Sequence, residues 1–144
     1  MRTRVYIAGP LTKGGLCENI NRATEAFIVL AKAGFAPLCP HWSVYAKPCR
    51  PRDFVLNPIT QAYEWVQSKS ECVCIGTPNG NDRMTYDEWL SVDLPWVAAS
   101  DALLRLPGES TGADLEESCA RDHKIPVFHD IESLILHFGA KVAA

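Results

Sequence analysis

The chain has 144 residues, 47% hydrophobic and 22% charged, with a formal net charge of −3. That is enough chain for one globular domain, and the acidic balance argues against nucleic acid or an anionic membrane as partner. No apolar run approaches ~18 residues, so no membrane span is expected. The apolar stretch after Met1–Val5 ends at Gly9-Pro10, too short for a signal peptide, and a cytoplasmic protein is expected.

Arg4 to Ala8 is a short apolar run that predicts a first strand. Gly9 to Cys17 is a loop with three glycines. From Asn19 to Ala33 the apolar positions Ile20, Ala23, Phe27, Leu30 and Ala31 recur at helical spacing, and Gly34 is placed to end that helix. Phe35 to Cys39 predicts a second strand, stopped by Pro40. Residues 40–82 are rich in proline and read as an irregular insertion, of the kind that often forms a binding loop. Within it, Asn57-Pro58 predicts the start of a helix reaching about Gln67, and Glu71 to Ile75 a short strand.

Thr85 to Ala99 predicts a helix with Trp89, Asp93 and Trp96 on one face, and Pro95 inside it. A strand over Asp101–Leu106, the turn P-G-E-S-T-G, a helix over Gly112–His123, a strand at Pro126–Phe128 and a last helix over Ile131–Phe138 complete the chain. Strands alternating with helices predict an α/β fold: an open, mostly parallel five-stranded sheet with helices on both faces, flavodoxin-like or Rossmann-like, in a single domain over residues 1–144. Ligands of such sheets sit beyond the carboxyl ends of the strands. The loops after the first strand, the second strand and the Asp101 strand are expected to converge there.

The turn from Pro107 to Gly112 feeds a helix N-terminus, a natural anion site. Gly108-Glu109-Ser110-Thr111-Gly112 also matches the G-x-S-x-G nucleophile elbow, with Asp122 or Asp130 and His129 or His137 following. The chain is short for that fold, and Ser110 reads better as a phosphate ligand or a helix cap. Glu116, Asp93, Tyr6 and His41 each have an ordinary structural reading: a surface acid near a helix dipole, a solvated acid, a core ring and a packed imidazole. The six cysteines suggest reduced thiols; Cys39, His41 and Cys49 lack the spacing of a good metal site.

Taken together, these residues resemble the nucleoside 2-deoxyribosyltransferase superfamily. The likeness is greatest to its branch of 2′-deoxynucleoside 5′-phosphate N-hydrolases and CMP N-glycosidases. Tyr6-x-x-Gly9 and its loop are similar to the family's first strand and phosphate loop, and His41 falls where the family has a ligand-facing histidine. Asp93-Leu94-x-Trp96 looks like its D-L-x-W segment, and Ser110-x-Gly112-x-x-x-Glu116 like its S-x-G-x-x-x-E. The A-G-P-L start at Ala8 also resembles small phage-encoded relatives of the superfamily. Where the hydrolases have serine and arginine after the glycine, this chain has Pro10, Leu11, Thr12 and Lys13.

The resemblance implies cleavage of the base–sugar bond of a (deoxy)nucleoside 5′-monophosphate without metal or cofactor. Glu116 would be the nucleophile, Asp93 the partner acid and Tyr6 the residue orienting Glu116 or the sugar. Gly9, Pro10, Leu11, Thr12, Lys13, Ser110 and Gly112 would hold the phosphate, and His41 and Trp42 would line the base. It also implies a homodimer or higher homo-oligomer whose neighbouring subunit completes the site. Two other readings stand beside it: a transferase that exchanges bases between unphosphorylated nucleosides, and a non-catalytic nucleotide sensor. Arg105, charged inside an apolar strand, calls for an anionic partner, either a phosphate or a carboxylate.

Overall fold

A computed structural model of the chain describes residues 1–45, 54–56, 63–65 and 85–139. They fall into two compact units, Met1–His41 with Met84–Ala144, and Trp42–Arg83. The larger unit is α/β. Its elements in chain order are β1 (Arg4–Ala8), α1 (Leu16–Lys32), β2 (Ala36–Leu38), α2 (Tyr86–Ala98), β5 (Ala102–Arg105), α3 (Thr111–Asp122), β6 (Val127–Phe128) and α4 (Ile131–Phe138). The smaller unit contains β3 (Phe54–Leu56) and β4 (Tyr63–Trp65), paired antiparallel with Phe54 opposite Trp65.

The main sheet is parallel throughout, in the order β2-β1-β5-β6. Among the described residues it has four strands, where five are expected; the remaining expected strand, Glu71 to Ile75, lies outside them. The helix expected from Asn57 to Gln67 does not run its length, because Tyr63–Trp65 is strand. Asn57-Pro58 is a helix-start signal that acts locally. The aromatic–polar–aromatic run Tyr63-Glu64-Trp65 has the alternation and ring content of a strand. The rest of that segment lies outside the described residues. β2 is shorter than expected and sits at the sheet edge, where Pro37 can be tolerated without its N–H.

Strand periodicity of two splits the core. Val5, Ile7, Ala102 and Leu104 point to one face and pack with Ala23, Ala26 and Leu30 of α1 and Leu134 of α4. Tyr6, Ala8 and Leu103 point to the other and pack with Val97 of α2 and Ala113 and Ala120 of α3. Helix α1 closes on two bonds, Gly34 N–H to Ala31 O and Phe35 N–H to Leu30 O, with Phe35 and Leu30 both in the core. It begins at Leu16, ahead of the expected Asn19. Helix α2 opens with a capping box: Thr85 Oγ1 accepts from Glu88 N–H, and the Glu88 carboxylate accepts from Thr85 N–H. From β1 the chain crosses to β2 on one side and later returns to β5 on the other. The switch in direction therefore lies between β1 and β5, the position where such sheets open a crevice at their carboxyl ends.

Candidate functional site

Two glycines let the loops after β1 and β5 meet. A Cβ on Gly9 would lie 3.0 Å from Leu106 Cβ and 3.3 Å from His41 Nε2. Gly108 has φ 119°, and a Cβ there would come within 2.9 Å of Pro10 Cγ. At both positions any other residue would push the two loops apart. The first loop is tied from below by Asn19, whose buried side-chain amide donates to Leu11 O (3.1 Å) and Lys13 O (2.7 Å). Across the top, Lys13 Nζ donates to Glu109 Oε2 at 3.4 Å, between two exposed side chains.

Beneath these loops Tyr6 is fully buried, and its hydroxyl donates to Glu116 Oε1 at 2.7 Å. The register explains the pairing. Tyr6 projects from β1 toward α3, and Glu116 falls on the buried stripe of α3 between Ala113 and Ala120. A carboxylate at a core position with small neighbours is unusual for a surface helix. Burial pushes the Glu116 carboxyl up to about 7; the nearby Asp93 charge adds to this, while the Tyr6 hydrogen bond and the Arg105 charge oppose it. The Tyr6 hydroxyl is pushed well above its ordinary range, first by burial and then by the Glu116 and Asp93 carboxylates. Asp93, half-buried on α2, has its own carboxyl raised by burial. Tyr6, Glu116 and Asp93 thus form one electrostatically coupled group.

Ser110 is the N-cap of α3, its Oγ accepting from Ala113 N–H at 3.2 Å. Its hydroxyl hydrogen remains available as a donor, and the N–H groups of Thr111 and Gly112 precede the first intrahelical bond, Asp114 N–H to Ser110 O. The backbone at Ser110 is extended (φ −161°, ψ 111°), unlike the sharp strained turn of a nucleophile elbow. Asp130 is occupied as the N-cap of α4, and His137 packs against Phe128 and Phe138. A Cβ on Gly112 would lie 3.4 Å from the Tyr86 hydroxyl, which brings the start of α2 to the Ser110 turn.

His41 is buried, with its Nε2 3.2 Å from Pro10 O. Burial lowers its pKa, so the ring is neutral at neutral pH. The bond to a carbonyl makes Nε2 the protonated nitrogen and Nδ1 the acceptor. Nδ1 has no partner among the described residues. Trp42 is partly exposed and belongs to the second unit.

Tyr6, Glu116 and Asp93 therefore form one coupled group; the loop carrying Gly9, Pro10, Leu11, Thr12 and Lys13 follows the strand that bears Tyr6, Ser110 and Gly112 open the helix that bears Glu116, and His41 lies against the first loop. Three contributors go beyond the sequence expectation. Asn19 looks like an ordinary helix residue, Tyr86 like a first-turn aromatic, and Glu109 like a solvated turn acid. The signal available for Asn19 is its amide one turn past a glycine loop. Among the described residues no cluster of His, Cys, Asp and Glu is disposed to hold a metal, and no helix is long and apolar enough to cross a membrane. Cys49 lies outside the described residues. The chain matches no protein-family model, no curated protein and no solved structure.

Proposed function

We propose that this chain is an N-glycosidase that hydrolyses the base–sugar bond of a nucleoside or deoxynucleoside 5′-monophosphate. The observation that carries this reading is the buried Tyr6–Glu116 hydrogen bond between β1 and α3, with Asp93 coupled to both residues. In the ionised state the Glu116 carboxylate attacks C1′ as the C1′–N bond to the base breaks, forming a glycosyl ester. Water then hydrolyses the ester and frees Glu116. Asp93 hydrogen-bonds the sugar or the base and helps to protonate the base as it departs. Tyr6 holds the Glu116 oxygen not used in attack.

The 5′-phosphate sits against Thr111 N–H, Gly112 N–H, the Ser110 hydroxyl and the Gly9–Lys13 loop, where the α3 dipole favours an anion. The neutral His41 faces the base. A doubly wound, flavodoxin-like sheet in the cytoplasm, acting as a homodimer with a shared site, completes the reading. The exposed Tyr86, Val92 and Trp96 of α2 supply apolar surface for a second subunit.

One observation favours a second reading, transfer of deoxyribose between bases. Lys13, the cation of the first loop, already faces the Glu109 carboxylate, which weakens the pull on a phosphate. Glu116→Ala tests the enzyme reading as a whole. Base release is expected to vanish while nucleotide binding by calorimetry persists; a sensor would show no base release in either protein and unchanged binding.

A further inference from the structure

Arg105 closes β5 on the same sheet face as Leu103 and Tyr6, and it is buried. Every direction in which its guanidinium is engaged leads to the protein itself. Nη1 donates to Leu106 O, and Nη2 donates to Gly108 O at 3.0 Å and to Asp114 Oδ1 at 2.8 Å. Nε faces Glu117 Oε2 at 3.7 Å. The two carbonyls belong to the turn that enters α3, and the two carboxylates belong to α3 on either side of Glu116. An arginine fork is the side chain that can bridge such a set, because its planar donors are fixed relative to one another.

Burying the cation is costly, and an apolar side chain of similar size would serve packing as well or better. Filling space therefore does not account for an arginine within Leu103-Leu104-Arg105-Leu106. With both Nη2 hydrogens, one on Nη1 and the Nε direction committed, the group is not a free phosphate clamp.

From this geometry we infer that Arg105 is a positioning residue of the Glu116 site: it clamps the Leu106–Gly108 turn to α3, fixing Ser110 and Glu116 relative to each other, and does not touch substrate. The inference rests on the N-glycosidase reading for its catalytic consequence. Its charge also opposes the effect of burial on the Glu116 carboxyl, so removing it acts on the nucleophile as well as on the turn.

Two readouts test this, in the wild type, Arg105→Met and Arg105→Lys. One is the titration of Glu116 by 13C NMR with labelled glutamate side chains, the resonance assigned by its loss in Glu116→Gln. The other is the affinity for nucleoside and deoxynucleoside 5′-monophosphates by calorimetry, with kcat and KM for base release. Arg105→Met is expected to move the Glu116 midpoint upward and to lower kcat at pH 6 about tenfold, the size of one pK unit. Arg105→Lys keeps the charge and the midpoint, but an ammonium cannot span the two carbonyls and two carboxylates, so monophosphate affinity falls. A midpoint unmoved in Arg105→Met, or an Arg105→Lys protein equal to wild type in both readouts, overturns the proposal. Should Arg105→Met not fold, Asp114→Ala opens one arm of the clamp at an exposed carboxylate, leaving Arg105 Nη2 without that acceptor; there the affinity must fall with the midpoint in place, and unchanged affinity overturns the clamp. If the wild type releases no base from any nucleotide, the N-glycosidase reading fails, and the NMR midpoint still decides whether Arg105 acts on Glu116.

Discussion

The Tyr6 hydroxyl and Glu116 Oε1, 110 positions apart in the chain, share a 2.7 Å hydrogen bond inside the core. A bond from a neutral hydroxyl to a carboxylate favours the ionised acid, and here it works against burial. Tyr6→Phe removes it without changing ring packing. The Glu116 carboxyl should then titrate higher, and the rising limb of the pH–rate profile should move to higher pH. Base release below neutrality should fall about 10- to 100-fold, the size of one hydrogen bond to a charge. An unmoved limb would show that Tyr6 serves only as core.

The raised Glu116 carboxyl has a consequence for stability. The folded chain keeps this proton up to about pH 7, whereas the unfolded chain loses it in the ordinary carboxylate range. Stability therefore declines as pH rises through that window, and the full cost is present above pH 7. Glu116→Gln abolishes the cost. In denaturant unfolding from pH 4 to 8 the variant should gain on the wild type as pH rises, by up to about 2–3 kcal/mol. Parallel curves would mean that Glu116 titrates normally.

Ser110 has two duties that substitution can separate. Ser110→Ala should cost about 1 kcal/mol of stability through loss of the α3 cap. Ser110→Asp keeps a good cap but places an anion where the phosphate is proposed to sit. Its stability should match the wild type while monophosphate affinity falls and affinity for unphosphorylated nucleosides holds. Equal loss for both ligand classes would remove Ser110 from the phosphate site.

Lys13 and Glu109 link the two loops across the proposed phosphate position. Glu109→Gln frees the cation and removes a negative charge, so KM for monophosphates should fall, most clearly at low salt. Lys13→Gln should raise it. If Glu109→Gln instead slows turnover of unphosphorylated nucleosides alone, the base-exchange reading gains.

The alternation of apolar strands and amphipathic helices made the parallel sheet legible, because period two and period 3.6 are written directly in residues 4–38 and 86–138. The pairing of Tyr6 with Glu116 is not written in any local pattern; only a resemblance of ordered motifs singles the two residues out in the sequence, and the packing of β1 against α3 brings them into contact. Asp101 looks prominent beside Asp93, yet its carboxylate is taken by Arg4, through the backbone N–H at 2.8 Å and the guanidinium at 2.7 and 3.1 Å. That partnership holds its carboxyl below the usual range and marks it as structural. Asn57-Pro58 misled because a helix-start signal does not constrain residues several positions downstream, and Tyr63–Trp65 pairs with Phe54–Leu56 instead. Arg105 demanded an anion from sequence alone, but only the fold shows that α3 supplies it through Asp114 and Glu117.

Incubation of the chain with a panel of nucleosides and nucleoside 5′-monophosphates, ribo and deoxy, followed by chromatography for free base, tests Glu116-dependent N-glycoside hydrolysis most directly. Free base is expected from at least one monophosphate with no acceptor base present, and none from the Glu116→Gln protein. Base released from unphosphorylated nucleosides only when an acceptor base is added, or no base from any substrate, would contradict it.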